Sequence, residues 1–224
     1  LRAKLEDDPV VKKKVADAAD RVLIVDAVLL PLYEKFADKV RFERVTDPAE
    51  FERELIDVVE GYKVGKSNDF EFDMGSLTSA AQLARVEKFV TDARTKGARI
   101  LTGGNPLPEV GPYFYQPTVV ADIGEDVSMR CDEVFGPVIG VYGYDEIEEA
   151  IDAANDSEYG LNASVIGNRK EAVRISHFIQ AGSVNINEGY RATFASFGAP
   201  MGGFKQSGQG RRSGIGGLLR YTEA

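Results

Sequence analysis

The strongest constraint on this chain is a regular alternation of strand-like and helix-like segments between Val138 and Asn187. An apolar run at 138–142 is followed by Ile147, Ala150, Ile151 and Ala154 at helical spacing, with Asp145 as N-cap and Glu148 completing a capping box. Asn162–Ile166 forms a second strand-like run. Asn168 then caps a helix that places Val173, Ser176 and Ile179 on one face, with Gly182 beyond its end. Ser183–Asn187 reads as the third strand. This order and spacing predict right-handed crossovers, hence an α/β fold in which a parallel sheet is covered by helices.

Upstream, residues 9–19 read as a short helix, Arg21–Val25 as a buried strand and 28–40 as another helix. Asp47, Pro48 and Glu50 mark a helix start, and Phe51, Leu55, Val58 and Tyr62 continue at helical spacing, giving a helix over 48–60. Residues 61–78 read as a loop. Ser79 caps a helix carrying Leu83, Val86, Val90 and Ala93 inward, and Gly97 ends it. Arg99–Thr102 is a short strand, followed by a turn-rich region to about Pro117. No repeat or linker divides the chain, so a single domain over 1–224 is expected.

Charge and composition narrow the function classes. Acidic residues outnumber basic ones 36 to 27, for a net charge of −9, which argues against a nucleic-acid partner. No run approaches the roughly 20 apolar residues of a membrane span. The opening residues lack the apolar core of a signal peptide, so a cytoplasmic location is expected. The chain starts at Leu1 rather than methionine, as a piece of a longer protein would. One cysteine fits a reducing compartment, and a single cysteine with a single histidine in the whole chain argues against a thiolate–imidazole metal site.

Three features invite chemistry. The run Gly202–Gly210 resembles a phosphate loop in composition, but Gly208 is followed by Gln209 where such a loop needs Lys and Ser or Thr. A tight turn with close backbone approach is the favoured reading. Cys131 lies beside Asp132 and Glu133 with no histidine nearby, the setting of a structural cysteine. His177 falls inside a helix with no nucleophile near it in sequence.

Several phrases, taken in order, resemble the catalytic domain of the aldehyde dehydrogenases. They are Asp73-Met74-Gly75-Ser76-Leu77 with Ala81-Gln82-Leu83, then Glu133-Val134-Phe135-Gly136-Pro137-Val138, then Tyr159-Gly160-Leu161-Asn162-Ala163. Gly182–Asn187, Ala199–Gly208 and the tail Gly217–Glu223 follow in the same order. Within that family, Asn187-Glu188-Gly189-Tyr190 with Ala199-Pro200-Met201 is most similar to the succinate-semialdehyde dehydrogenases. Arg21–Val25 resembles a strand soon after the family's nucleophile, while 1–20 and 41–60 are atypical.

The resemblance implies oxidation of an aldehyde such as succinate semialdehyde. In the family, a cysteine thiolate attacks the aldehyde, hydride passes to NAD or NADP, and water hydrolyses the thioester. It further implies that Glu133 accepts from the nicotinamide ribose hydroxyls and that Phe135 packs beside the nicotinamide ring. Asn187 would end a core strand near the substrate pocket, and Ser196 would meet a substrate carboxylate. The implied partners are a small aldehyde and, through uncovered apolar surface, a second copy of the chain.

Two departures stand beside this. Counting back from Arg21 puts the family's cysteine near Ala16, where the sequence reads Lys14-Val15-Ala16-Asp17, so no catalytic residue is assigned. The family's N-terminal cofactor domain also has no counterpart here, so NAD(P) binding by this chain alone is doubtful. Two readings follow: a catalytic-domain portion inactive in isolation, or a non-catalytic domain that keeps the fold as a scaffold or interaction module.

Overall fold

The computed structural model describes residues 23–25, 48–66, 71–208 and 210–222. The expected helices at 9–19 and 28–40, the residues near Ala16 and the cap Asp47 lie outside the described residues. The fold is α/β, and among the described residues the strands fall into two three-stranded sheets and two short ribbons.

The first sheet is made by β2 (Arg99–Thr102), β3 (Thr118–Ala121) and β4 (Val138–Val141), with β3 in the middle. β3 pairs parallel with β4 and antiparallel with β2. Helix α1 (Pro48–Glu60) covers one face, where Leu55 and Val59 meet Val119. Helix α2 (Ala80–Thr95) covers the other, where Val86, Phe89, Val90 and Ala93 meet Val120. Neighbouring strand residues point to opposite faces, so Val119 and Val120 each enter a different core. All four residues of β3 are buried, and this strand went unread in the sequence. A strand covered on both sides is a plain apolar run without alternation, too short here to stand out from a turn-rich region.

The second sheet contains β1 (Leu23–Val25), β6 (Asn162–Ile166) and β7 (Ser183–Ile186), with β6 in the middle. The expected parallel crossover appears between β6 and β7, and β1 adds an antiparallel strand. Helix α3 (Ile147–Asn155) and helix α4 (Arg169–Ser176) enclose a core in which Val165 and Ile175 are buried. The predicted strand, helix, strand, helix, strand order is therefore present. Its first strand, β4, pairs within the other sheet instead of beside β6.

Local punctuation mostly follows the sequence. The Ser79 hydroxyl accepts from the Gln82 N–H at 3.2 Å, and Asn168 accepts from the N–H groups of Lys170 and Glu171. Gly97 adopts φ +89°, closing α2 as a left-handed cap. Two expectations need correction. Helix α3 starts one residue late, at Ile147, with Glu146 as a cap lacking a side-chain bond; the Asp145 N–H instead donates to Glu149 Oε2 at 3.0 Å. On α4 the buried residues are Ala172 and Ile175, whereas Val173 is exposed and Ser176 half-buried; Ile179, just beyond the helix, is buried as expected. The 3.6-residue repeat allows both stripes, and contact with the sheet selected the one whose small alanine fits against β6.

The glycine run forms a tight turn. β5 (Tyr159–Gly160) pairs with β9 (Phe204–Lys205), and β8 (Met201–Gly202) pairs with β10 (Arg211–Arg212). A Cβ on Gly182 would stand 1.7 Å from the Gly202 carbonyl oxygen, so backbone lies on backbone here. Lys205 donates from Nζ to the carbonyls of Asn155 (2.6 Å) and Ser157 (2.8 Å), placing its cation at the C-terminal end of α3.

Candidate functional site

A loop held by side-chain bonds from a helix follows a short 3-10 turn at Ser128–Arg130 and carries Glu133 and Phe135. Two side chains of α2, one turn apart, grip it. Arg85 donates to the Glu133 carbonyl at 2.5 Å, and Gln82 Nε2 donates to the carbonyls of Val134 (3.2 Å) and Phe135 (2.6 Å). Three consecutive carbonyls are thus fixed by one helix face. Gly136 completes the seat, because a Cβ there would lie 2.4 Å from Val86 Cγ2.

Phe135 adopts φ +55° and stays 60% exposed. A bulky residue in the left-handed region costs about 1–2 kcal/mol and needs surrounding structure to hold it. Such a strained, solvent-facing aromatic is a poor contribution to the core and a good flat surface for a ligand ring. Glu133 is exposed beside it, and its carboxylate has no hydrogen-bond or ion-pair partner among the described residues. A free carboxylate can accept from two vicinal hydroxyls at once, and an open aromatic face can stack on a flat ring.

The loop's approach is also braced. Asp92 Oδ2 accepts from both the N–H and the hydroxyl of Ser128 at 2.8 Å, while Lys96 pairs with Asp92 Oδ1 at 2.9 Å. Lys96, then Ser128, holds the Asp92 carboxyl down at about 2. Cys131 follows this turn, exposed, with Sγ 3.8 Å from the Asp156 carbonyl. Neither a histidine nor a carboxylate reaches its sulfur among the described residues. His177 is exposed at the C-cap of α4.

Asn187 and Ser196 belong to the second sheet. Asn187, at φ +54°, follows the end of β7, and both ends of its amide are engaged: Oδ1 accepts from the Gly167 N–H at 2.7 Å and Nδ2 donates to the Gly167 carbonyl at 2.9 Å. Ser196 is the exposed C-cap of the short helix α5 (Arg191–Ala195), and its hydroxyl donates to the Ala192 carbonyl at 2.8 Å. A hydroxyl can still accept through its lone pairs in that position.

Sequence reading missed Gln82, Arg85, Asn162, Asn185 and Thr193. A signal for the first two existed: they sit three apart beside the buried Val86 stripe, where long polar side chains reach across to a neighbouring loop. No group of three or more His, Cys, Asp or Glu suited to a metal occurs among the described residues. No described helix is long and apolar enough to cross a membrane.

Comparison with known proteins gives this geometry a family. The model of the Aldehyde dehydrogenase family matches residues 42–224, and the chain belongs to that family. A Mycobacterium ulcerans protein named "Putative succinate-semialdehyde dehydrogenase (NADP+) 2" is 44% identical over 94% of this chain and 40% of its own length. A Mycolicibacterium smegmatis protein of similar name is 46% identical over 78% of this chain and 34% of its own length. The chain thus spans about two-fifths of the relatives it matches. Among solved structures, the NAD+ complex of a Bacillus cereus aldehyde dehydrogenase superposes with a TM-score of 0.70 at 37% identity, over 76% of this chain and 34% of that one. A Staphylococcus aureus betaine aldehyde dehydrogenase in complex with NAD+ gives 0.72 at 35% identity, over 78% and 35%.

Proposed function

We propose that residues 1–224 form one catalytic-type domain of an NAD- or NADP-dependent dehydrogenase that oxidises succinate semialdehyde to its acid. The observation that carries this is the loop 133–136, whose strained, gripped backbone offers an exposed, unpaired carboxylate and, two residues on, an open aromatic ring. In this reading Glu133 takes the ribose hydroxyls and Phe135 lies against the nicotinamide, which accepts hydride when bound. Asn187 holds the end of β7 beside the substrate space through Gly167, and Ser196 meets the substrate carboxylate. The names of the mycobacterial relatives support this substrate. A cytoplasmic setting and self-association through exposed Ile215, Leu218 and Tyr221 belong to the same proposal.

As an isolated chain it is inactive in this reading, because Cys131 lacks an activating base and no cysteine stands near Ala16. A missing nucleophile alone removes several powers of ten in rate. The assay is direct: incubate the purified chain with succinate semialdehyde and NAD+ or NADP+, and follow absorbance of the reduced nucleotide. No turnover above background is expected. Turnover that disappears in Cys131→Ala would overturn the assignment of this cysteine as structural.

A further inference from the structure

Behind Ser196 lies a closed ring of three hydrogen bonds. Asn185 Nδ2 donates to Asn162 Oδ1 at 3.0 Å, Asn162 Nδ2 donates to the Thr193 hydroxyl at 2.8 Å, and that hydroxyl donates to Asn185 Oδ1 at 3.1 Å. Each member donates once and accepts once around the circle. The second Asn185 amide proton also finds a partner, the Ala163 carbonyl at 3.3 Å. Asn185 is buried, one of few buried polar residues among those described, while Asn162 and Thr193 are half-buried.

The ring ties α5 to β6 and β7, two strands already paired through their backbones, whereas no backbone hydrogen bond among the described residues joins α5 to either. Asn162 opens β6, Asn185 lies in β7, and Thr193 is the middle residue of α5. With five residues, α5 is too short to be stable by its own hydrogen bonds. Its neighbours Tyr190 and Phe194 pair edge to face at 4.7 Å between centroids, yet Phe194 is exposed, so apolar burial does not anchor it either. Buried polar networks of this kind fix one geometry when every member is satisfied and are costly when one bond is lost. The Ser196 N–H and hydroxyl both donate to the Ala192 carbonyl, so the placement of Ser196 follows directly from that of α5.

We infer that the Asn162–Asn185–Thr193 ring is the positioning device that sets α5 on the second sheet and thereby places the Ser196 hydroxyl for a substrate carboxylate. The carboxylate role of Ser196 rests on the reading proposed above; the ring itself does not. Thr193 is then a specificity-determining position although it need not touch substrate, and its hydroxyl is the part that matters.

The test uses the isotope-labelled chain with Thr193→Val, Thr193→Ser and Ser196→Ala, observed by NMR with succinate as the carboxylate probe. Wild type and Thr193→Ser should show slowly exchanging side-chain amides for Asn162 and Asn185. Thr193→Val should lose them and speed backbone amide exchange at Ser196 about tenfold, as expected for one lost hydrogen bond, while β6 amides stay unchanged. Succinate should shift the Ser196 and Phe197 amides in wild type and Thr193→Ser, and not in Thr193→Val or Ser196→Ala. If Thr193→Val does not fold, Asn162→Ala breaks the ring from its half-buried side and serves the same comparison. Equal exchange at Ser196 in wild type and the ring-breaking variant overturns the inference, as does acceleration spread evenly over β6. The expected exchange pattern without any succinate shift in wild type supports the ring and overturns the substrate reading of Ser196.

Discussion

At the scale of single residues, the site depends on backbone conformations that most side chains avoid. Phe135 and Asn187 both lie near φ +55°, and each is held by side-chain bonds to backbone: Phe135 by Gln82, Asn187 by its own amide on Gly167. Gly136 matters for space. Because Val86 is fully buried and stiff, Gly136→Ala cannot be absorbed by a rotamer change; it should cost about 1–3 kcal/mol, the usual range for overpacking. Chemical denaturation reads this, and an unchanged midpoint would show that the loop is not seated on Val86. Little of this was legible beforehand. The Glu-x-Phe-Gly-Pro phrase identified Glu133 and Phe135 by resemblance, but a positive φ at phenylalanine leaves no mark in composition, and the partners Gln82 and Arg85 lie about 50 residues away.

At the scale of elements, α2 does two jobs. Its buried stripe packs on β3, and its polar flank holds the 133–136 loop at one end and the Ser128 turn at the other. The second grip depends on pH. Asp92 has a folded value of about 2 against an ordinary 3.8, so its stabilising effect is present above the ordinary value and is lost as pH falls through about 2. The melting midpoint of wild type should therefore decline between pH 4 and 2 more steeply than that of Asp92→Asn, which lacks the titrating group. Identical slopes would mean that the carboxylate bonds to Ser128 and Lys96 do not persist in solution. Caps were read well at this scale because a cap is a local event: Ser79 and Asn168 bond to N–H groups two or three residues on. The phase of α4 was not, since Val173 and Ala172 offer rival stripes that only the sheet beneath can decide.

At the scale of the whole molecule, the first sheet is packed on both faces and the second sheet has a core of its own, while the C-terminal segment is dressed poorly. Helix α6 (Gly214–Leu219) leaves Ile215 at 77% and Leu218 at 73% exposure, with Tyr221 at 79% just beyond. Apolar side chains clustered this densely are unusual on a surface that meets only water. The purified chain should sediment faster as its concentration rises, and Ile215→Ser with Leu218→Ser should weaken that dependence. A concentration-independent monomer would remove the self-association proposal without touching the site.

The sequence by itself determined the α/β class, the starts of α1, α2 and α4, and the family, because these rest on short-range spacing, local capping and ordered phrases. Only the tertiary structure decided that β3 runs buried between two helices, that Ala172 faces inward in place of Val173, and that Asn162, Asn185 and Thr193 close into a ring. Each of these depends on groups far apart along the chain meeting across a packed interface, and no local pattern encodes which of several permitted meetings a core will select.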